Sequence, residues 1–99
     1  MGKYNYKIYD YSLAGIPKKR VFNRYIFTKW EFELFKKYFF GCKTEKELAY
    51  KYVEYVKKNS YFKRIYGNDP NYYFEWEIIT PNKIFLFDET GCKKEESIG

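Results

Sequence analysis

The chain has 99 residues, a net charge of +6, and neither histidine nor glutamine. That length holds one domain, 1–99, with a modest core, and the missing imidazole removes the commonest general base and every His-based triad. A hydrophobic content of 45% excludes a disordered polar chain, and no apolar run is long enough to cross a membrane as a helix.

The opening MGKYNYKIYDYSL alternates polar and aromatic residues and lacks the continuous apolar stretch of a signal peptide, which reads as an intracellular protein. Within it, residues 4–11 place Tyr4, Tyr6 and Ile8 on one side and Asn5, Lys7 and Tyr9 on the other, the pattern of a half-buried strand. Gly15 and Pro17 make residues 12–20 a basic loop, and 21–27 (VFNRYIF) return as a second strand. Thr28 and Glu31 fit a capping box for a helix running to about Phe40 and stopped by Gly41. Trp30, Phe32, Leu34, Phe35, Tyr38 and Phe39 cover half its circumference, which predicts the most buried helix. Thr44 and Glu47 open a second helix to about Lys58, with Leu48, Ala49, Tyr52, Val53, Tyr55 and Val56 as its apolar stripe.

Residues 60–66 (SYFKRIY) read as a short strand or extended loop, and Gly67–Pro70 as a turn. Residues 72–79 and 83–88 predict a hairpin through Thr80–Lys83, with Ile78 opposite Phe85 and Trp76 opposite Phe87. One face of that hairpin is then wholly apolar: Phe74, Trp76, Ile78, Phe85 and Phe87. Residues 89–99 are polar and read as a flexible tail. The expected architecture is α+β, in the order ββααβ(β), with an antiparallel sheet of about four strands and two helices on one face.

Aromatic residues make up 25% of the chain, 13 of them Tyr, so rings supply the core that a short chain lacks in residue count. Residues 1–68 carry 16 basic and 6 acidic side chains, whereas residues 69–99 carry 3 and 7. Lys18, Lys19, Arg20, Lys63 and Arg64, with Tyr9 and Tyr11 near them, follow the logic of single-strand nucleic-acid binding: cations for phosphates and rings for bases. The alternative is that the lysines are solvated and the rings are core. With only three Arg, base-specific readout is not expected. Tyr on both sides of residues 4–11 also suits protein recognition, and an edge strand there could pair with a second copy in a homodimer.

No phosphate-binding glycine loop is present, so no catalytic residue, cofactor or enzymatic activity is expected. Glu75, Glu77 and Asp88 share the outer face of the predicted hairpin, where three carboxylates could hold a divalent metal or simply lie solvated beside lysines. Cys42 and Cys92 are two free thiols or one bridge; a bridge would contribute about 3–4.5 kcal/mol on the chain-entropy model.

The length, the start MGKYNYKIYDY, the run WEFELFKKYFFGC and the missing His and Gln together resemble the small proteins of filamentous and rod-shaped viruses of thermoacidophilic archaea, the lipothrixviruses and rudiviruses. The resemblance implies an α+β fold of unusual topology and high thermal and acid stability, with the host cytoplasm or the virion as location. It favours thermophily over codon bias as the source of the Lys- and Glu-rich composition, and it makes a Cys42–Cys92 bridge more plausible. It carries over no functional residue. The function expected is non-enzymatic interaction with a host protein or with itself, or non-specific nucleic-acid binding.

Overall fold

Two aromatic-rich sheets of strands, one from each end of the chain, are joined by a helical crossover into a single sheet. The computed structural model describes residues 3–39 and 41–98. The strands are β1 (Lys3–Leu13), β2 (Ile16–Ile26), β3 (Tyr72–Ile79), β4 (Lys83–Asp88) and β5 (Gly91–Ser97), lying in the order β1-β2-β3-β4-β5. Between β2 and β3 come α1 (Lys29–Leu34), a π-helical turn (Phe35–Phe39), α2 (Glu45–Asn59) and α3 (Tyr61–Tyr66).

The α+β class holds, but the sheet is mixed: β2 runs parallel to β3, and every other pair is antiparallel. The sequence reading of an all-antiparallel sheet is corrected here. A chain that leaves β2 through helices on one face returns to that face's far end, so its next strand enters parallel. Three further expectations are also revised. The basic loop 12–20 is mostly strand, because the turn is only Ala14–Gly15, with φ values of 52° and 80° that suit a two-residue hairpin connection. Pro17 fits in β2 because β2 pairs with β3 only from Lys19 onward. Residues 61–66 form a helix, capped by the Ser60 hydroxyl accepting from Lys63 N–H at 3.2 Å; six residues are too few for a periodic signal. The expected polar tail contains β5, whose charged side chains hid a strand that completes the sheet.

The first capping box forms as read: Thr28 Oγ1 accepts from Glu31 N–H, and Glu31 Oε1 accepts from Thr28 N–H, both at 3.2 Å. α1 then widens into the π turn, and the expected helix end at Phe40 lies outside the described residues. Cys42 N–H donates to the Lys36 carbonyl at 3.0 Å, and Gly41 takes a φ of 57°. Of this segment's described apolar residues only Phe32 and Phe35 are buried, against four in α2, so it is not the most buried helix. Trp30 is 69% exposed, and Tyr38 and Phe39 are also exposed. Thr44 caps α2 through Glu47 N–H at 3.1 Å, while Glu47 reaches Lys43 N–H instead of closing the box.

The β3–β4 hairpin has the predicted register, Ile78 opposite Phe85 and Trp76 opposite Phe87. Its apolar face and Val21 meet Leu48, Ala49, Val53 and Val56 of α2 to form the core, while Tyr55 points outward. A chain of ring contacts extends the core sideways: Tyr4–Tyr25 (4.7 Å), Tyr25–Tyr52 (5.1 Å), Tyr52–Phe27 (4.9 Å) and Phe27–Phe35 (5.3 Å). Thr80 Oγ1 and Asn82 Nδ2 donate to the two oxygens of Glu45, both at 2.9 Å, pinning the start of α2 to the β3–β4 turn. All the packed helical side chains lie on one face of the sheet, and the other face has no helix over it among the described residues.

Phe85→Ala should cost about 3–5 kcal/mol, because its ring is fully buried at the centre of the core. Ending the chain at Glu89 should also lower the melting temperature, since it strips β4 of its neighbour; a tail without structure would leave the melt unchanged. Thermal melts followed by far-UV circular dichroism check both.

Candidate interaction surface

The sheet has two free edges, and they differ in kind. β5, GCKKEES, presents Lys93, Lys94, Glu95 and Glu96, and its pairing with β4 is interrupted by a register shift at Leu86/Phe87. Charges and irregular pairing are the devices that keep an edge from recruiting another strand. β1 has charges only at Lys3, Lys7 and Asp10, and its pairing is regular. It pairs with β2 without a break over all eleven residues, and every one of those residues is exposed. Tyr4, Tyr6, Ile8, Tyr9 and Tyr11 are 41–51% exposed and Leu13 is 64% exposed. The sequence pattern foresaw a half-buried strand; here all eleven residues are exposed, and no helix among the described residues lies over them.

Alternation distributes these side chains to two faces. On the helix side, Tyr4 stacks on Tyr25, Tyr6 stacks on Tyr4 at 6.1 Å, and Tyr4 donates its hydroxyl hydrogen to Asn23 Oδ1 at 2.8 Å. Asn23 is buried and passes the link on, donating to the Glu75 carbonyl at 3.1 Å. Burial pushes the Tyr4 hydroxyl up from its ordinary pKa, and raises Tyr25 more strongly. On the outer side, the Arg20 guanidinium lies 5.4 Å from the Tyr9 and Phe22 rings, and the Lys7 ammonium is 5.7 Å from Tyr9. β1 is therefore held rigidly by β2 while its far edge stays unpaired among the described residues.

The basic residues singled out in the sequence do not converge. Lys18 donates to the Pro70 carbonyl at 3.1 Å and to Asn71 Oδ1 at 3.3 Å. Lys19 pairs with Asp10, and that hydrogen bond raises its pKa. Arg20 pairs with Glu75, and Arg24 with Glu77 at 2.7 Å. Lys63 reaches Glu89 at 2.8 Å and also lies near the Phe74 and Trp76 rings, while Arg64 sits over Tyr61. Lys18 and Arg20 are on one face of the sheet, Lys19 and Lys63 on the other.

Glu75 does stand opposite Asp88, as the register predicted, but neither is solvated: they are 8% and 3% exposed. Their charges are matched internally. Asp88 Oδ1 accepts from Thr90 N–H (2.7 Å) and Thr90 Oγ1 (2.6 Å), and Oδ2 accepts from Tyr73 (2.8 Å) and Lys93 Nζ (3.2 Å). Burial alone would raise the Asp88 pKa, but these donors outweigh it and hold the carboxyl well below the usual carboxylate range. Tyr73 is pushed up to about 12, by burial and then by the Asp88 hydrogen bond. With its acceptor sites filled, Asp88 is a poor metal ligand, and among the described residues no group of His, Cys, Asp and Glu is placed to hold a metal. Cys42 and Cys92 are both free thiols. Cys42 is buried in the core, with its pKa raised by burial, and Cys92 lies on β5 opposite Phe87, half-buried against the same core.

Sequence reasoning missed Asn23, Arg24 and Tyr73. The signal for Asn23 was a polar residue on the apolar face of VFNRY; for the others it was long-range pairing that no local pattern contains. No helix of the described residues is long and apolar enough to cross a membrane. Comparison of the chain with protein-family models, with curated proteins and with solved structures finds no match.

The lowered Asp88 pKa has a definite sign. A carboxyl depressed in the folded state contributes stability above its unfolded pKa of about 4 and loses it only as pH falls through the lower folded value. Asp88→Asn should therefore cost about 1–3 kcal/mol at pH 7, and the gap to the parent should narrow only below about pH 4. Denaturant unfolding from pH 7 down to pH 2 measures this; a gap independent of pH would be inconsistent with the assignment.

Proposed function

We propose that this chain works without catalysis, by protein–protein interaction, as a small protein of a virus or mobile element, and that β1 is the strand to which its partner adds. The observation that carries the reading is the long, regular, exposed β1 edge with aromatic side chains on both faces, opposite a β5 edge defended by charge. Strand addition uses the free backbone groups of an edge for affinity and the alternating side chains for selectivity. Tyr suits the second role, because a rigid ring with a polar tip covers area at little entropic cost. The viral attribution rests on the sequence resemblance described above.

Nucleic-acid binding is supported less well. Arg20, Arg24, Lys19 and Lys63 already face carboxylates, so fewer cations remain to replace counterions on a phosphate chain.

A photo-crosslinking amino acid at Tyr6, expressed in producing cells, should give protein adducts, whereas the same group at Glu96 on β5 should not. Tyr9→Lys should weaken the Tyr6 adducts. Equal labelling at both edges, or none at Tyr6, overturns the reading. Oligonucleotide titration at low salt should show no binding; salt-sensitive binding there would favour the nucleic-acid alternative.

A further inference from the structure

We infer that the strand added to β1 is β1 of a second copy, antiparallel, with a two-fold axis passing beside Ile8. The inference rests on the interaction reading above and specifies its partner. A two-fold between antiparallel strands of one sheet stands perpendicular to the sheet and keeps each residue on its own face. Opposed residues must then have the same parity, so the axis falls at a residue position. β1 spans Lys3–Leu13, and only an axis at Ile8 pairs all eleven residues.

That register is also the one whose side chains agree. It sets Lys7 opposite Tyr9, Tyr6 opposite Asp10, Tyr4 opposite Ser12, Asn5 opposite Tyr11, and Lys3 opposite Leu13. No like charges face each other, and the Lys7–Tyr9 pairing repeats between copies a cation–ring contact that already exists within one copy at 5.7 Å. Moving the axis to Lys7 places two ammonium groups face to face, which is destabilising. Moving it to Tyr9 sets Ile8 against Asp10 and leaves the start of β1 without a partner. At Ile8, Tyr4, Tyr6 and Ile8 of both copies run together as one stripe on the helix side, and Tyr9, Tyr11 and Leu13 do so on the outer side. The product is a continuous ten-stranded sheet with both sets of helices on one face and a charged β5 at each end.

The test uses the full chain carrying Cys92→Ser, which leaves buried Cys42 as the only native thiol. Opposed residues of an antiparallel pair lie about 4.5–5.5 Å apart at Cα, within disulfide reach. Ile8→Cys should therefore form a symmetric disulfide dimer under mild oxidation. Lys7→Cys and Tyr9→Cys proteins should cross-link when mixed but not alone. Sedimentation velocity between about 1 and 100 µM should show a dimer that Tyr6→Asp, which sets a carboxylate opposite Asp10 of the second copy, weakens at least tenfold. A monomer throughout this range with no Ile8→Cys dimer, or a disulfide from Lys7→Cys alone, overturns the inference. If Tyr6 photo-adducts to a different protein persist in that case, the interaction reading stands and only the self-pairing fails; if no adduct forms, both fail.

Discussion

The parallel pairing of β2 with β3 is the constraint on which the rest of the molecule depends. It is the one join between the N-terminal hairpin and the C-terminal strands, and it obliges the intervening residues to cross over the sheet. That crossover brings Leu48, Val53 and Val56 down onto Trp76, Ile78 and Phe85, so the apolar faces of α2 and the β3–β4 hairpin bury each other. It also uses the inner edge of β2, which leaves β1 with β2 as its sole strand neighbour among the described residues.

A sheet covered on one face must make its other face compatible with water. Here this is done by ion pairs laid across the strands. Arg20 with Glu75 and Arg24 with Glu77 tie β2 to β3 on the open side, and their guanidinium groups lie against Tyr9 and Phe22. Asp88 is the most enclosed of these charges, and it shapes the backbone as well: its bonds to Thr90 close the two-residue turn that starts β5. A residue cluster with the composition of a metal site is thus a structural network, because its carboxylates are already occupied by donors from the same chain.

The contrast between the two edges gives the surface its functional meaning. Both expose unpaired backbone, yet β5 surrounds it with the run Lys93-Lys94-Glu95-Glu96 and a register shift, while β1 surrounds it mainly with Tyr, Ile and Leu and with fewer charges, Lys3, Lys7 and Asp10. Leaving such rings in water has a cost that burial against another strand recovers. The Tyr4–Asn23–Glu75 link and the Tyr4–Tyr25 stack hold β1 in shape before any partner arrives, which lowers the entropic cost of association.

Much of this was legible from local pattern. The capping box at Thr28, the α2 stripe and the Trp76–Phe87 register are set by periods of 3.6 and 2 and by short turns, so the residues themselves carry the information. The exposed Tyr of residues 4–11 was already visible as rings that one core could not absorb. What tertiary structure decided was everything that depends on partners distant in the chain: that β2 meets β3 in parallel, that Trp30 points to solvent while Phe32 is buried, that charged residues 91–97 become a strand, and that Glu75 and Asp88 are enclosed. Alternation tells which side chains share a face, but not whether another layer covers it. For β1 the sequence determined two aromatic faces; only the fold, which lays no helix over them among the described residues, decided that both would remain exposed.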